Sequence, residues 1–207
     1  MTFTTEAVTA APPTTDGPGA RTADAAPALR VVVLSGNPRP GSRTAATGRA
    51  TATAVARALD GVRPAAPEIE TVELADLAGE VLAPEHPRAD AVLADLARAD
   101  VVVVATPVYK ASYTGLLKAF LDLYRAGDLR DVVAVPLVVS GNPAHALAGE
   151  VHLRPLLVEL GAVVPTRAVA VTKADLADPV ALDAVLERWL ADAGAALRAA
   201  VRTEVAR

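Results

Sequence analysis

The sequence has no cysteine, which removes disulfides, thiolate nucleophiles and Cys-ligated zinc or iron–sulfur clusters from consideration. Its three histidines, His86, His145 and His152, are too scattered to outline a metal site, and none is expected. No stretch approaches the roughly 18 apolar residues that a membrane-spanning helix needs. No basic region followed by an apolar run opens the chain, so the expectation is a cytoplasmic protein without a secretory signal. A basic surplus is missing too: 24 Asp and Glu face 20 Lys and Arg, which argues against nucleic acid as a partner. Aromatic residues make up only 3%, so the core must come from β-branched strands and Ala-rich helices.

What is present suits one α/β domain. The chain has 207 residues, of which 52% are hydrophobic, enough to bury a single core. Residues 1–28 are rich in Thr, Ala, Pro and Gly with few bulky apolar side chains. Such a segment cannot offset its ordering entropy and reads as a disordered extension, leaving 29–207 as the folded domain. Apolar runs at 30–36 and 100–106 read as strands covered on both faces. Alternation at 68–74 marks another strand, and 132–140 and 162–171 complete five. Pro136 should sit at a bulge or near an edge. Helical spacing falls at 44–59, 89–98, 116–124, 145–160 and 179–201, with an irregularity expected at Pro155. Alternating strands and helices predict a parallel sheet wrapped on both sides.

In such a sheet, ligands bind beyond the carboxyl ends of the strands, where strand order reverses. After the first strand comes Gly36-Asn-Pro-Arg-Pro-Gly-Ser-Arg-Thr44, directly before a helix. Small residues and a helix N-terminus can aim N–H groups at an anion, and Arg39 and Arg43 can add charge-assisted hydrogen bonds. The alternative is a plain capped turn, with Ser42 or Thr44 as N-cap. Ser42 stands where a P-loop requires lysine, and no G-x-G-x-x-G is present. A nucleoside triphosphatase and a dinucleotide fold are therefore disfavoured, and a monophosphate fits better. After the third strand comes Thr106-Pro-Val-Tyr-Lys-Ala-Ser-Tyr-Thr-Gly115, an extended loop able to line a planar heterocycle. Tyr109 and Tyr113 can pack against a ring or a neighbouring subunit. Ser140-Gly-Asn142 follows the fourth strand, where Gly141 permits close backbone approach.

These loops resemble the NAD(P)H-dependent FMN reductase family, particularly the reductase components of two-component alkanesulfonate monooxygenases. The resemblance rests on Gly36-Asn-Pro-Arg-Pro-x-Ser-Arg43 and Ala105-Thr-Pro-Val-Tyr-Lys-Ala-Ser-Tyr-Thr-Gly-x-Leu-Lys118, and covers residues 30–189. It implies a flavodoxin-like three-layer fold with a five-stranded parallel sheet. It also implies that Asn37, Arg39, Ser42, Arg43 and Thr44 grip the phosphate of FMN. Pro107, Val108, Tyr109 and Lys110 would run along the flavin. Ser140, Gly141 and Asn142 would meet its pyrimidine edge, with Asn142 replacing the family's second glycine. In the alkanesulfonate reductases an inserted tyrosine makes a π-bulge at a tetramer interface, and Val151 or His152 falls at that place here.

The implied reaction is hydride transfer from the C4 of NADPH or NADH to flavin N5. It needs no protein acid or base, so no catalytic residue is assigned. Reduced FMN would pass to a partner flavin-dependent monooxygenase, and a homodimer or homotetramer is expected. Other readings are a flavoprotein with resident FMN that reduces quinones, azo compounds or metal oxyanions, and a non-catalytic flavodoxin-type electron carrier. A phosphate-binding, receiver-like module without flavin would need acidic residues at the end of the first strand, where the sequence reads Leu-Ser-Gly.

Overall fold

The computed structural model describes residues 27–205, and the extension expected at 1–28 lies almost wholly outside them. Ten main elements alternate: β1 (Arg30–Ser35), α1 (Arg43–Ala58), β2 (Glu68–Glu73), α2 (Pro87–Leu96), β3 (Val101–Pro107), α3 (Gly115–Leu121), β4 (Val133–Ser140), α4 (Arg154–Glu159), β5 (Val169–Thr172) and α5 (Pro179–Val205). All strands run parallel in the order β2-β1-β3-β4-β5. The chain moves one way from β1 to β2, then returns past β1 to add β3, β4 and β5. That reversal opens a crevice between the carboxyl ends of β1 and β3.

The valine runs explain the three layers. Successive strand residues point to opposite faces. Val31, Val33, Val103 and Val135 pack with Val55 of α1 and Leu186 and Leu197 of α5. Val32, Leu34, Val102 and Val104 pack instead with Leu93 of α2, Phe120 of α3 and Leu157 of α4. β2 forms one edge and is largely exposed, and its glutamates discourage pairing with another sheet. Among the described residues, no helix is long and apolar enough to cross a membrane.

Three expectations need correction. Pro136 lies neither at a bulge nor in an edge strand, since β4 sits between β3 and β5. The ladder to β5 nevertheless begins only at Leu137 and Val169, and Ala134 donates instead to the Val163 carbonyl (2.8 Å). Alternation puts the missing Pro136 donor in the gap between those bonds. The strand expected at 162–171 is confined to Val169–Thr172, with one bridge between Val133 and Val163. Pro165 interrupts it, and α4 side chains take over its polar groups: Arg154 donates to the carbonyls of Val164 (2.7 Å) and Thr166. The helix expected at 145–160 is broken into a 3-10 turn (Pro143–His145), a π-helical turn (Gly149–Leu153) and α4. Pro155 supplies no N–H at the start of α4, as the expected irregularity required.

α1 sits close to the sheet because Gly48 faces Val33: a Cβ there would lie 2.5 Å from Val33 Cγ1. Gly48→Ala gains about 1 kcal/mol of helix propensity, but overpacking a rigid strand costs about 1–3 kcal/mol. The substitution should therefore lower the urea unfolding midpoint. Adding Val33→Ala should cost less in that background than alone, because the two share one space.

Candidate functional site

The crevice between β1 and β3 is a cavity of about 820 Å³ that extends across the carboxyl ends of β4 and β5. One wall is the loop from β1 to α1. Gly36 donates to the Ala105 carbonyl (2.8 Å), and its own carbonyl accepts from Thr114 Oγ1 (2.5 Å). Thr114 is also the N-cap of α3, accepting from the Leu117 N–H (3.1 Å), so one hydroxyl group ties the first loop to the third. A Cβ at Gly36 would press to 2.7 Å from that of Leu117. The buried Asn37 amide donates to Thr44 Oγ1 (3.0 Å) while its oxygen accepts from the Arg39 N–H (3.0 Å). Gly41 turns the chain at φ +62°, and its N–H is taken by Glu73 at the end of β2 (2.9 Å).

α1 then begins with Ser42 as N-cap, whose hydroxyl accepts from the Ala45 N–H (3.2 Å). The plain capped turn is thus present. Capping leaves the N–H groups of Arg43 and Thr44 without an acceptor among the described residues. Those open donors, the helix dipole and the exposed guanidinium groups of Arg39 and Arg43 form an arrangement able to attract an anion. The charged side chains lining the cavity are Arg39, Arg43 and Lys173, with no carboxylate among them.

The opposite wall is the loop after β3. Val108 donates to the Val139 carbonyl (2.8 Å), which extends the sheet past its last regular pair. Tyr109 and Ser112 then exchange two backbone hydrogen bonds (2.8 and 3.1 Å) around Lys110 and Ala111. Both central residues are left-handed, at φ 51° and 65°, in a turn that usually calls for Asn-Gly. Pro107, Val108 and Tyr109 line the cavity, whereas Lys110 sits at the exposed tip of the turn, outside the lining. Tyr113 packs instead against the core on the α2–α4 face.

Ser140, Gly141 and Asn142 close the far side. Asn142 has ordinary extended backbone (φ −143°), so the position of the family's second glycine makes no left-handed demand here. Its side chain caps the following turn by accepting from Ala144 (2.9 Å), and Ser140 Oγ donates to its carbonyl (2.9 Å). The cavity thus gathers Asn37, Arg39, Ser42, Arg43 and Thr44 with these two loops. His145 and Lys173 join them and were not foreseen. Position beyond a strand's carboxyl end was the available signal for Lys173; His145 was absorbed into an expected helix.

The π-helical turn (Gly149–Leu153) contains both Val151 and His152, at the place the resemblance indicated. Gly149 permits it, since a Cβ there would collide with Ala168, and Glu150 accepts from the Ala168 N–H (2.6 Å). Leu147 and Val151 stay 66% and 59% exposed beside a shallow recess that shares His145 with the main cavity.

Left-handed non-glycine residues cost on the order of 1–2 kcal/mol each. Lys110→Asn with Ala111→Gly should therefore raise the thermal unfolding midpoint; a lowered midpoint would contradict the turn described.

Residues 29–175 match the family model described as NADPH-dependent FMN reductase. Among curated proteins, the chain is 36% identical over 155 residues to the NADH-dependent FMN reductase SfnF of Pseudomonas fluorescens, covering 72% of this chain and 80% of that one. It is 48% identical over 67 residues to the FMN reductase (NADPH) of Escherichia coli, but that match spans only 35% of the relative's length and 32% of this chain. Among solved structures, an oxidoreductase from Corynebacterium diphtheriae superposes with a TM-score of 0.72 at 29% identity, over 84% of this chain and 97% of that one. An NADH:FMN oxidoreductase (EmoB) in its apo form gives 0.63 at 28% identity, over 80% and 90%. With the flavodoxin-like strand order, these matches establish that the chain belongs to the NADPH-dependent FMN reductase family.

Proposed function

We propose that this protein reduces FMN with NADPH or NADH and releases reduced FMN to a separate flavin-dependent monooxygenase in the cytoplasm. The observation that carries this reading is a crevice lined by cations and no carboxylate, headed by open helix N–H groups. Such a site suits a phosphate monoester attached to an uncharged ring. Arg39 and Arg43 hold the phosphate together with the N–H groups of Arg43 and Thr44. Asn37 and Ser42 act indirectly, by fixing the loop and capping the helix. The extended backbone from Pro107 to Tyr109 and the Ser140–Asn142 loop then flank the flavin ring. FMN bound there would supply N5 as the acceptor of the nicotinamide's hydride; the protein's part is to hold the two rings in contact and limit water.

The apolar surface of Leu147 and of Val151 in the π-helical turn, beside the tip residue Ala111, supports a homodimer or homotetramer built on this face. Tyr109, at the rim of the main cavity, is also 46% exposed. Light scattering should show a dimer or tetramer that Leu147→Glu with Val151→Glu dissociates; a wild-type monomer would contradict the assembly.

Purified protein should oxidise NADPH or NADH only when FMN is present. Absence of oxidation with either nucleotide, with and without FMN, would sink the proposal. Arg39→Ala and Arg43→Ala should each weaken FMN binding about 10- to 100-fold, from the ~1.5–3 kcal/mol of a charge-assisted hydrogen bond. Fluorescence titration reads this loss, and the unfolding midpoint should stay unchanged because both side chains are exposed.

A further inference from the structure

The cavity carries positive charge at both ends. Arg39 and Arg43 follow β1, while Lys173 follows β5, three strand spacings across the sheet, or about 14 Å at ~4.8 Å per strand. One phosphate satisfies only the first cluster.

Lys173 is held in place by the fold. Its N–H donates to the Ser140 carbonyl (2.9 Å), which continues the β4–β5 ladder. Its Cε and Nζ lie 3.7 and 3.8 Å from where a Cβ of Gly141 would stand, so the ammonium group rests over the β4 loop. The carboxylate two residues further on is committed elsewhere. Asp175 accepts from both the N–H and the hydroxyl group of Thr172 (2.7 Å each), and those bonds hold it below the usual carboxylate range. Among the described residues, Lys173 forms no ion pair.

An oxidised flavin ring is neutral and offers Lys173 only a carbonyl dipole. Hydride transfer changes this. The C4–H bond of the nicotinamide breaks, an N5–H bond forms, and the electron pair leaves a negative charge shared by flavin N1 and the C2 carbonyl oxygen. We propose that the Lys173 ammonium group binds this N1–C2=O edge and selectively stabilises the reduced, anionic flavin. The proposal rests on the FMN reading above and adds a residue specific to the redox state of the ligand. Lys173 transfers no proton; its charge offsets the one that arrives. The slot is thereby matched to a ligand with a phosphate at one end and, after reduction, a second negative charge at the other.

The test compares the affinities of oxidised FMN and, under anaerobic conditions, of chemically reduced FMN for the wild-type protein, Lys173→Met and Lys173→Arg. Lys173→Met should leave the oxidised form within about threefold and weaken the reduced form about 10- to 100-fold, the loss of one charge-assisted hydrogen bond. The potential of the bound flavin should fall accordingly by about 30–60 mV, at ~30 mV per tenfold for two electrons. Lys173→Arg should retain most of the preference. Equal weakening of both forms, or no change in either, overturns the assignment. A wild-type protein that binds neither form overturns this inference together with the FMN reading beneath it.

Discussion

The rest of the structure is arranged around an unsatisfied set of donors at the head of α1. A helix cannot bond its own first N–H groups, and among the described residues those of Arg43 and Thr44, which line the crevice, have no acceptor. Arg39 and Arg43 line the same cavity, with no carboxylate among its lining residues. The strand order places this positive end where the sheet's connections diverge. Everything nearby stabilises that geometry. Asn37 bridges the loop and the helix, Glu73 fixes Gly41, and Thr114 links the β1 loop to the start of α3.

The valine-rich strands are a scaffold for this site more than a source of specificity. Burial on both faces makes the sheet stiff and defines the positions of four strand ends to which the loops attach. Strain is concentrated at the loops. The left-handed pair Lys110 and Ala111 and the π-helical turn both adjoin the cavity or the recess beside it. Locally costly backbone of this kind persists only where surrounding contacts hold it. Thr106 and the Tyr109–Ser112 bonds do so for the first, and the Glu150 and Arg154 bonds to the irregular segment before β5 do so for the second.

Much of this was legible in the residues. Val runs at 31–33 and 101–104 read as strands covered on both faces, and the structure has β1 and β3 there; the Arg39–Arg43 segment, between a strand and a helix, lines the cavity. What escaped detection did so for physical reasons. Tyr-Lys-Ala-Ser contains neither Gly nor Asn, so nothing local marked a left-handed turn at Lys110 and Ala111. The short length of β5 depended on Pro165 and on Arg154 capturing distant carbonyl groups, a tertiary effect invisible to periodicity. Lys173 went unremarked because no motif surrounds it; only the strand order brings it to the same crevice as Arg39. The π-helical turn was accessible through resemblance alone, since Gly149 and Pro155 separately signal only a weak helix.

In the proposed reading, phosphate recognition at the head of α1 is what holds the ligand. The most direct measurement compares the affinity of the protein for FMN with that for riboflavin, which carries the same ring and no phosphate. Two charge-assisted bonds of ~1.5–3 kcal/mol each predict a preference for FMN of roughly 100-fold or more, shrinking as salt rises. Equal affinity for the two flavins would contradict it.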